Sequence, residues 1–212
     1  MLASAFVLAV TVLGMQLPGA ATAESERMRA WAEGPVRWLL LPDERRQARQ
    51  IEEDPEGTAF IEAFWERRNP QSGLEGENLF RKAFEERVQA ADLLYSEEGI
   101  RGSLTDRGRA LILLGSPTHV TISTEPIMAW DPSRDARDRV TMHKVDVEIW
   151  GYRMQDLPPR VFDVWSGKRK ATEDTLALTL RFRRVGRRTA LVEGESLLAA
   201  AAEAVVTEGA GE

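Results

Sequence analysis

Two carboxylates and a run of guanidinium groups are the residues of this 212-residue chain whose types could support a reaction. Asp106 lies in the segment Gly102-Ser103-Leu104-Thr105-Asp106-Arg107-Gly108-Arg109, and Glu148 lies just before Ile149 and Trp150. Two acids in different environments are the minimum for glycoside-type hydrolysis, one protonating the leaving group and the other acting as base or nucleophile. The chain has 34 acidic residues, so such a pair can be assembled on paper in many places and needs a pocket before it carries weight. His119 and His143 show neither an H-x-x-x-H nor an H-E-x-x-H spacing, so solvated histidines are the default and no metal ligand is assigned. The absence of cysteine excludes a thiolate nucleophile, a thiolate metal site and disulfides. There is no G-x-S-x-G elbow, P-loop or G-x-G-x-x-G, so no catalytic residue and no cofactor is assigned either.

A structural reading of the same segment is available and is favoured. Thr105 and Asp106 can accept hydrogen bonds from nearby backbone amides in Asx or ST turns. Gly102 and Gly108 permit positive φ, and Arg107 or Arg109 can pair with Asp106. A ligand-contacting role stays open, because polar loop residues on a rigid scaffold are where function tends to sit. Two further groups join Gly102, Thr105, Asp106, Arg107 and Arg109 as candidate binding residues. Trp150 and Tyr152 share a strand face, expected to be covered by helices; left open, it would suit stacking on a sugar or docking a peptide. Arg181 and Arg183 belong to a basic end with Lys168 to Lys170, Arg184, Arg187 and Arg188, either a solvated edge strand defended by charge or a surface for an anionic partner.

The elements that must hold these residues are legible in part. Pro42 to Glu53 is charged and helix-favouring, and Asp54-Pro55 reads as an N-cap and first helical position opening a helix with Phe60, Ala63, Phe64 and Trp65. Phe80, Phe84, Val88, Ala91 and Tyr95 fall on one face of a helix from about Glu75 to Tyr95. Arg109 to Leu114 is a short apolar run between glycines and reads as a strand buried on both faces. Val145, Val147 and Ile149 alternate with Asp146, Glu148 and Trp150 as in a half-buried strand. Arg160 to Trp165 reads as another strand, closed by a turn at Ser166-Gly167, and Leu176, Leu178, Leu180 and Phe182 mark the last one. Met128 to Lys144 is polar and unpatterned, expected as a long loop and the first place to seek a partner site. Residues 193 to 206 could form an alanine-rich helix. Helices first and strands after indicate an α+β fold, a helical N-terminal half packed on a small, mainly antiparallel sheet.

The segment from Gly102 through Arg109, running into Ala110 to Pro117, resembles the GWxTD domain family of bacterial exported proteins. The similarity extends to Trp38-Leu-Leu-Leu-Pro-Asp-Glu-Arg45, to the segment from Phe60 to Pro70 and to Glu148-Ile-Trp-Gly-Tyr-Arg153, and it covers roughly Trp38 to Trp165. Ser103 stands where the family has its signature tryptophan. The resemblance implies an exported domain with no transferable catalytic residue. A weaker likeness, of Leu113-Leu-Gly-Ser-Pro117 to small outer-membrane assembly lipoproteins, lacks the cysteine those proteins need for acylation.

Every charged residue lies beyond Ala23. The apolar core Ala5 to Leu13 and Ala21-Thr22-Ala23 fit a signal peptide (1–23) cleaved after Ala23, although its n-region has no Lys or Arg. Gln16 and Pro18 interrupt the stretch well short of the about 20 residues of a spanning helix, so no stable transmembrane span is expected after cleavage. A linker (24–37), a main domain (38–184) and a C-terminal helix with a flexible tail (185–212) follow. The net charge of -6 disfavours a nucleic-acid partner. These readings converge on a periplasmic or secreted non-catalytic interaction domain, its partner an envelope protein or anionic envelope polymer. The alternative is a carboxylate-dependent envelope hydrolase centred on Asp106.

Overall fold

The computed structural model describes residues 23–69, 76–130, 140–158, 160–168 and 178–207. Seven α-helices occur among them: α1 (Ala23–Glu33), α2 (Pro42–Ala48), α3 (Asp54–Glu66), α4 (Leu79–Tyr95), α5 (Asp106–Leu114), α6 (Val161–Lys168) and α7 (Glu195–Thr207). Four strands, β1 (His119–Trp130), β2 (Val140–Gly151), β3 (Thr179–Val185) and β4 (Arg188–Glu193), form one antiparallel sheet in the order β1-β2-β3-β4. The architecture is the expected α+β, helices packed on a small sheet.

The helical half follows the sequence closely. In α4 the apolar stripe turns inward, burying Phe84 and Ala91, and the Asn78 side chain caps the helix by accepting from Arg81 N at 3.0 Å. Trp65 of α3 packs against Phe64 and Phe84, with ring centroids 5.0 and 5.2 Å apart. The cap of α3 is Glu53, with Asp54 and Pro55 already in its first turn, and α2 stops at Ala48. A buried ion pair ties these helices together. Arg68, fully buried at its side chain, donates to Glu44 at 2.7 Å and to the carbonyls of Leu39 and Phe64 at 3.0 Å each. Glu44 also accepts from Leu41 N and Arg67.

Four expectations are corrected. Residues 24–37, expected as a linker, form α1 and a 3-10 turn (Pro35–Trp38), and Met28 of α1 is fully buried. Arg109 to Leu114 is helix, not strand: Thr105 caps its start, Gly115 at φ 82° ends it, and every residue from Ala110 to Leu114 is buried. A run enclosed on all sides has no solvent face to imprint a period, and apolar character alone cannot separate helix from strand. Arg160 to Trp165 likewise enters α6, which continues through the expected turn at Ser166-Gly167 and buries Val161 and Trp165 one helical turn apart. The expected loop from Met128 to Lys144 consists of the paired strand ends Met128–Trp130 and Val140–Lys144, joined through residues 131–139, which lie outside the described residues.

Two strands carried no recognised signal, β1 and β4. Chain beyond Arg184 adds β4 to the sheet and α7 to the core, where Leu197, Leu198 and Ala201 are buried. Register assigns the faces. Trp150 pairs with Leu180, Glu148 with Phe182 and Phe182 with Leu191, so these side chains share the face that meets the helices. Val147 and Arg183 pair on the opposite face. Residues 1–22, which hold most of the expected signal peptide, Arg169, Lys170, Leu176 and the last five residues lie outside the described residues.

Candidate functional site

The Thr105–Arg109 segment is where α4, α5 and β4 are fastened to one another. The Thr105 hydroxyl donates to Gly102 O at 2.8 Å and accepts from Gly108 N at 3.1 Å, so it closes the preceding 3-10 turn and caps α5 at once. Gly102 and Gly108 are not at positive φ. Their role is close approach: a Cβ on Gly102 would sit 1.9 Å from Ala91 O, and one on Gly108 would sit 1.8 Å from Gly102 O. The 3-10 turn therefore lies against the end of α4, and the first turn of α5 against the 3-10 turn, with no room for a side chain at either contact.

Asp106 is engaged by the sheet. Its Oδ2 accepts from Leu191 N at 2.8 Å, and Glu97 accepts from Thr189 N at 3.0 Å. These alternate amides lie on β4, whose outer edge pairs with no strand among the described residues, so two carboxylates cap hydrogen-bond donors that the sheet leaves open. Arg107 does not pair with Asp106. It sits between Glu97 and Glu148 at 3.3 and 3.4 Å, with its guanidinium carbon 5.1 Å from the centroid of the Tyr95 ring. Arg109 binds Glu195 of α7 through two hydrogen bonds, 2.7 and 2.8 Å, and lies over the Trp38 ring.

Asp92, near the end of α4, steadies the same corner by accepting from Ser103 N at 2.8 Å and pairing with Arg101. Burial works against its charged form, but the Ser103 amide and the Arg101 guanidinium prevail and hold its carboxyl below the ordinary range. Ser103 is fully buried and its carbonyl accepts from the Trp38 indole at 2.9 Å.

A cavity of 210 Å³ opens beside this corner, lined in part by Arg107, Asp146, Glu148, Phe182 and Arg184. Asp106 is not among its lining residues. Glu148, the proposed second acid, accepts from the Trp150 indole at 2.5 Å and pairs with Arg107. The two acids considered for hydrolysis thus hold different partners, a strand amide for one and an indole and a guanidinium for the other. The arrangement supplies charge-assisted fastening.

Trp150 and Tyr152 lie on the covered face, as expected. Trp150 is fully buried against Tyr95 and Phe182, with centroids 5.4 and 5.0 Å away, and Tyr152 is 6% exposed. Burial pushes the Tyr152 phenol well above its ordinary range, and burial with the nearby Glu148 carboxylate raises that of Tyr95. Neither aromatic presents a stacking platform. Arg181 and Arg183 stand on β3, an inner strand and not an edge. Arg181 pairs with Glu125 of β1 and lies 3.9 Å from Glu193, and Arg187 pairs with Glu98 at 2.5 Å. The basic end is therefore partly neutralised within the fold.

Sequence reasoning missed Glu97 and the shape of β1 and β2. Glu97 sits in a short turn bridged to Ile100, with no pattern to mark it. β1 and β2 form a two-stranded ribbon, and because β3 pairs only with Val147–Gly151 of β2, residues 140–146 and their partners 124–130 run on beyond the sheet. Val120, Ile122, Met128, Val140 and Met142 fall on one face of this hairpin by register, and all are exposed; Met128 and Met142 pair directly at 76% and 67% exposure. The alternation of Val120, Ile122 and Thr124 was the available signal.

No helix among the described residues is long and apolar enough to cross a membrane, and no group of three His, Asp or Glu among them could hold a metal ion. Comparison of the chain with protein-family models, with curated proteins and with solved structures finds no match.

Proposed function

We propose that the chain is an exported, non-catalytic interaction domain of the bacterial cell envelope, GWxTD-like in its central segment, which docks a partner protein through the β1–β2 ribbon. One observation carries the reading: five apolar side chains, Val120, Ile122, Met128, Val140 and Met142, are exposed on one face of a hairpin that outruns its sheet. Soluble domains rarely leave such a face without a partner. The outer edge of β1 also pairs with no strand among the described residues, and its 12 residues offer about 40 Å of backbone for an added strand. Paired methionines suit a partner surface that varies, because the unbranched thioether repacks readily. Engagement of Asp106 by Leu191 N weighs against the hydrolase alternative, which needs that carboxylate free in a cavity.

The test is site-directed photo-crosslinking from position 122 or 142 in an envelope extract, beside a crosslinker at Arg153 on the chain after β2. A defined adduct from the ribbon positions that vanishes in an Ile122→Thr, Met142→Thr variant is expected. The same adducts from all three positions, or adducts that the variant leaves unchanged, would remove the ribbon from the proposal.

A further inference from the structure

Arginines of the N-terminal helices divide into two sets. Arg27, Arg46, Arg67 and Arg68 each pair with a carboxylate, Glu24, Asp43 or Glu44. Arg29 of α1, Arg37 of the 3-10 turn, Arg45 of α2 and Arg49 just beyond it pair with none among the described residues. These four line a single concavity of 230 Å³ with Trp38 and Glu33. Two of them are already held in place. The Arg37 guanidinium stacks on the Trp38 ring, 4.1 Å from its centroid, and Arg45 donates to Arg37 O at 2.8 Å.

Four guanidinium groups face one carboxylate here, on a chain whose net charge is -6. Such a reversal is costly through self-repulsion unless a counter-charge relieves it. Planar guanidinium forks bind the oxygens of a phosphate group bidentately, and a doubly charged oxyanion offsets most of the local excess. Ala32 and Trp38 complete the lining beside the charged groups.

We infer that the concavity between α1, the 3-10 turn and α2 binds a phosphate-bearing ligand, with Arg29, Arg37, Arg45 and Arg49 as its donors. The site is independent of the ribbon and survives if the ribbon has no partner. Phosphate oxygens are presented both by a soluble phosphate monoester, with two charges, and by the headgroup of an anionic phospholipid, with one.

Two measurements on the full chain test it. In the first, inorganic phosphate is titrated calorimetrically at constant ionic strength, balanced with sodium chloride, against wild type, an Arg29→Gln, Arg49→Gln variant and an Arg153→Gln, Arg188→Gln control. All four positions are exposed, and both variants remove the same charge. The cluster variant is expected to bind phosphate about tenfold more weakly and the control to match wild type. No saturable heat from wild type, or equal weakening by both variants, overturns the site. In the second, co-sedimentation with vesicles of phosphatidylcholine alone or mixed with phosphatidylglycerol separates the sources. Sedimentation with the anionic vesicles that the cluster variant loses supports a headgroup ligand, and phosphate binding without sedimentation supports a soluble ester. Sedimentation that persists in the cluster variant overturns the headgroup form.

Discussion

Asp106 accepts a hydrogen bond from Leu191 N at 2.8 Å, so a carboxylate at the start of α5 completes the outer edge of β4. The bond is charge-assisted and half-buried, and it joins two elements far apart in the chain. Asp106→Ala removes it and leaves the amide without an acceptor, at a cost of about 1–3 kcal/mol. Chemical denaturation should show that loss, and amide exchange at Leu191 should rise beyond what the global destabilisation explains. Unchanged protection of Leu191 would show that the edge is held without Asp106.

Glu44 gives the N-terminal helices their pH dependence. Burial opposes its ionised form, but Arg68, Leu41 N and Arg67 outweigh that and set its pKa below the unfolded value of 4.5. A native value below the unfolded one stabilises the fold above pH 4.5 and loses that contribution as pH falls through the native value. Glu44→Gln leaves Arg68 buried with a neutral partner, a loss of about 3–5 kcal/mol at neutral pH. Urea midpoints measured from pH 7 down to pH 3 should converge for wild type and variant. Parallel curves would mean that another group governs the acid limb.

Close approach at two glycines predicts an asymmetry among glycine substitutions. Gly102→Ala and Gly108→Ala drive a methyl group into backbone carbonyls that cannot give, at about 3 kcal/mol or more. Gly99 has open space around its Cβ position and costs only the strain of its positive φ, 73°, about 1–2 kcal/mol. Thermal melts of the three variants should order Gly99→Ala as the mildest. A benign Gly102→Ala would mean that α4 and α5 separate more easily than their packing implies.

At the ribbon, stability and binding should come apart. Ile122→Thr and Met142→Thr replace exposed side chains and should change stability by no more than about 0.5 kcal/mol. If the ribbon is a docking face, the same pair abolishes the partner adduct while the melting curve stays in place. A large stability loss instead would assign the ribbon to the fold itself.

Trp38 offers a spectroscopic check on the corner around Ser103. Its indole donates to Ser103 O, and Arg37 and Arg109 lie over its ring. Trp38→Phe keeps an aromatic ring but loses the donor, and should cost about 1–2 kcal/mol. Near-ultraviolet circular dichroism should lose intensity while the far-ultraviolet spectrum is kept. A coincident loss of both would indicate that the turn itself has opened.

How far the sequence reached depended on solvent. α4 and β3 were legible because each meets the core on one side and solvent on the other: Phe84 and Ala91 keep helical spacing, and Leu180 and Phe182 alternate. α5 is enclosed from Ala110 to Leu114 and was misread, and β1, exposed along most of its length, was passed over for the opposite reason. Composition alone established a cysteine-free acidic chain with a charge-free beginning. Tertiary structure alone decided what the motif residues do. Asp106 meets Leu191, Arg109 meets Glu195 and Glu97 meets Thr189 across separations of 85, 86 and 92 residues. Local pattern carries no information about such partners, because a carboxylate's role is set by whichever donor the packed chain brings within about 3 Å of it.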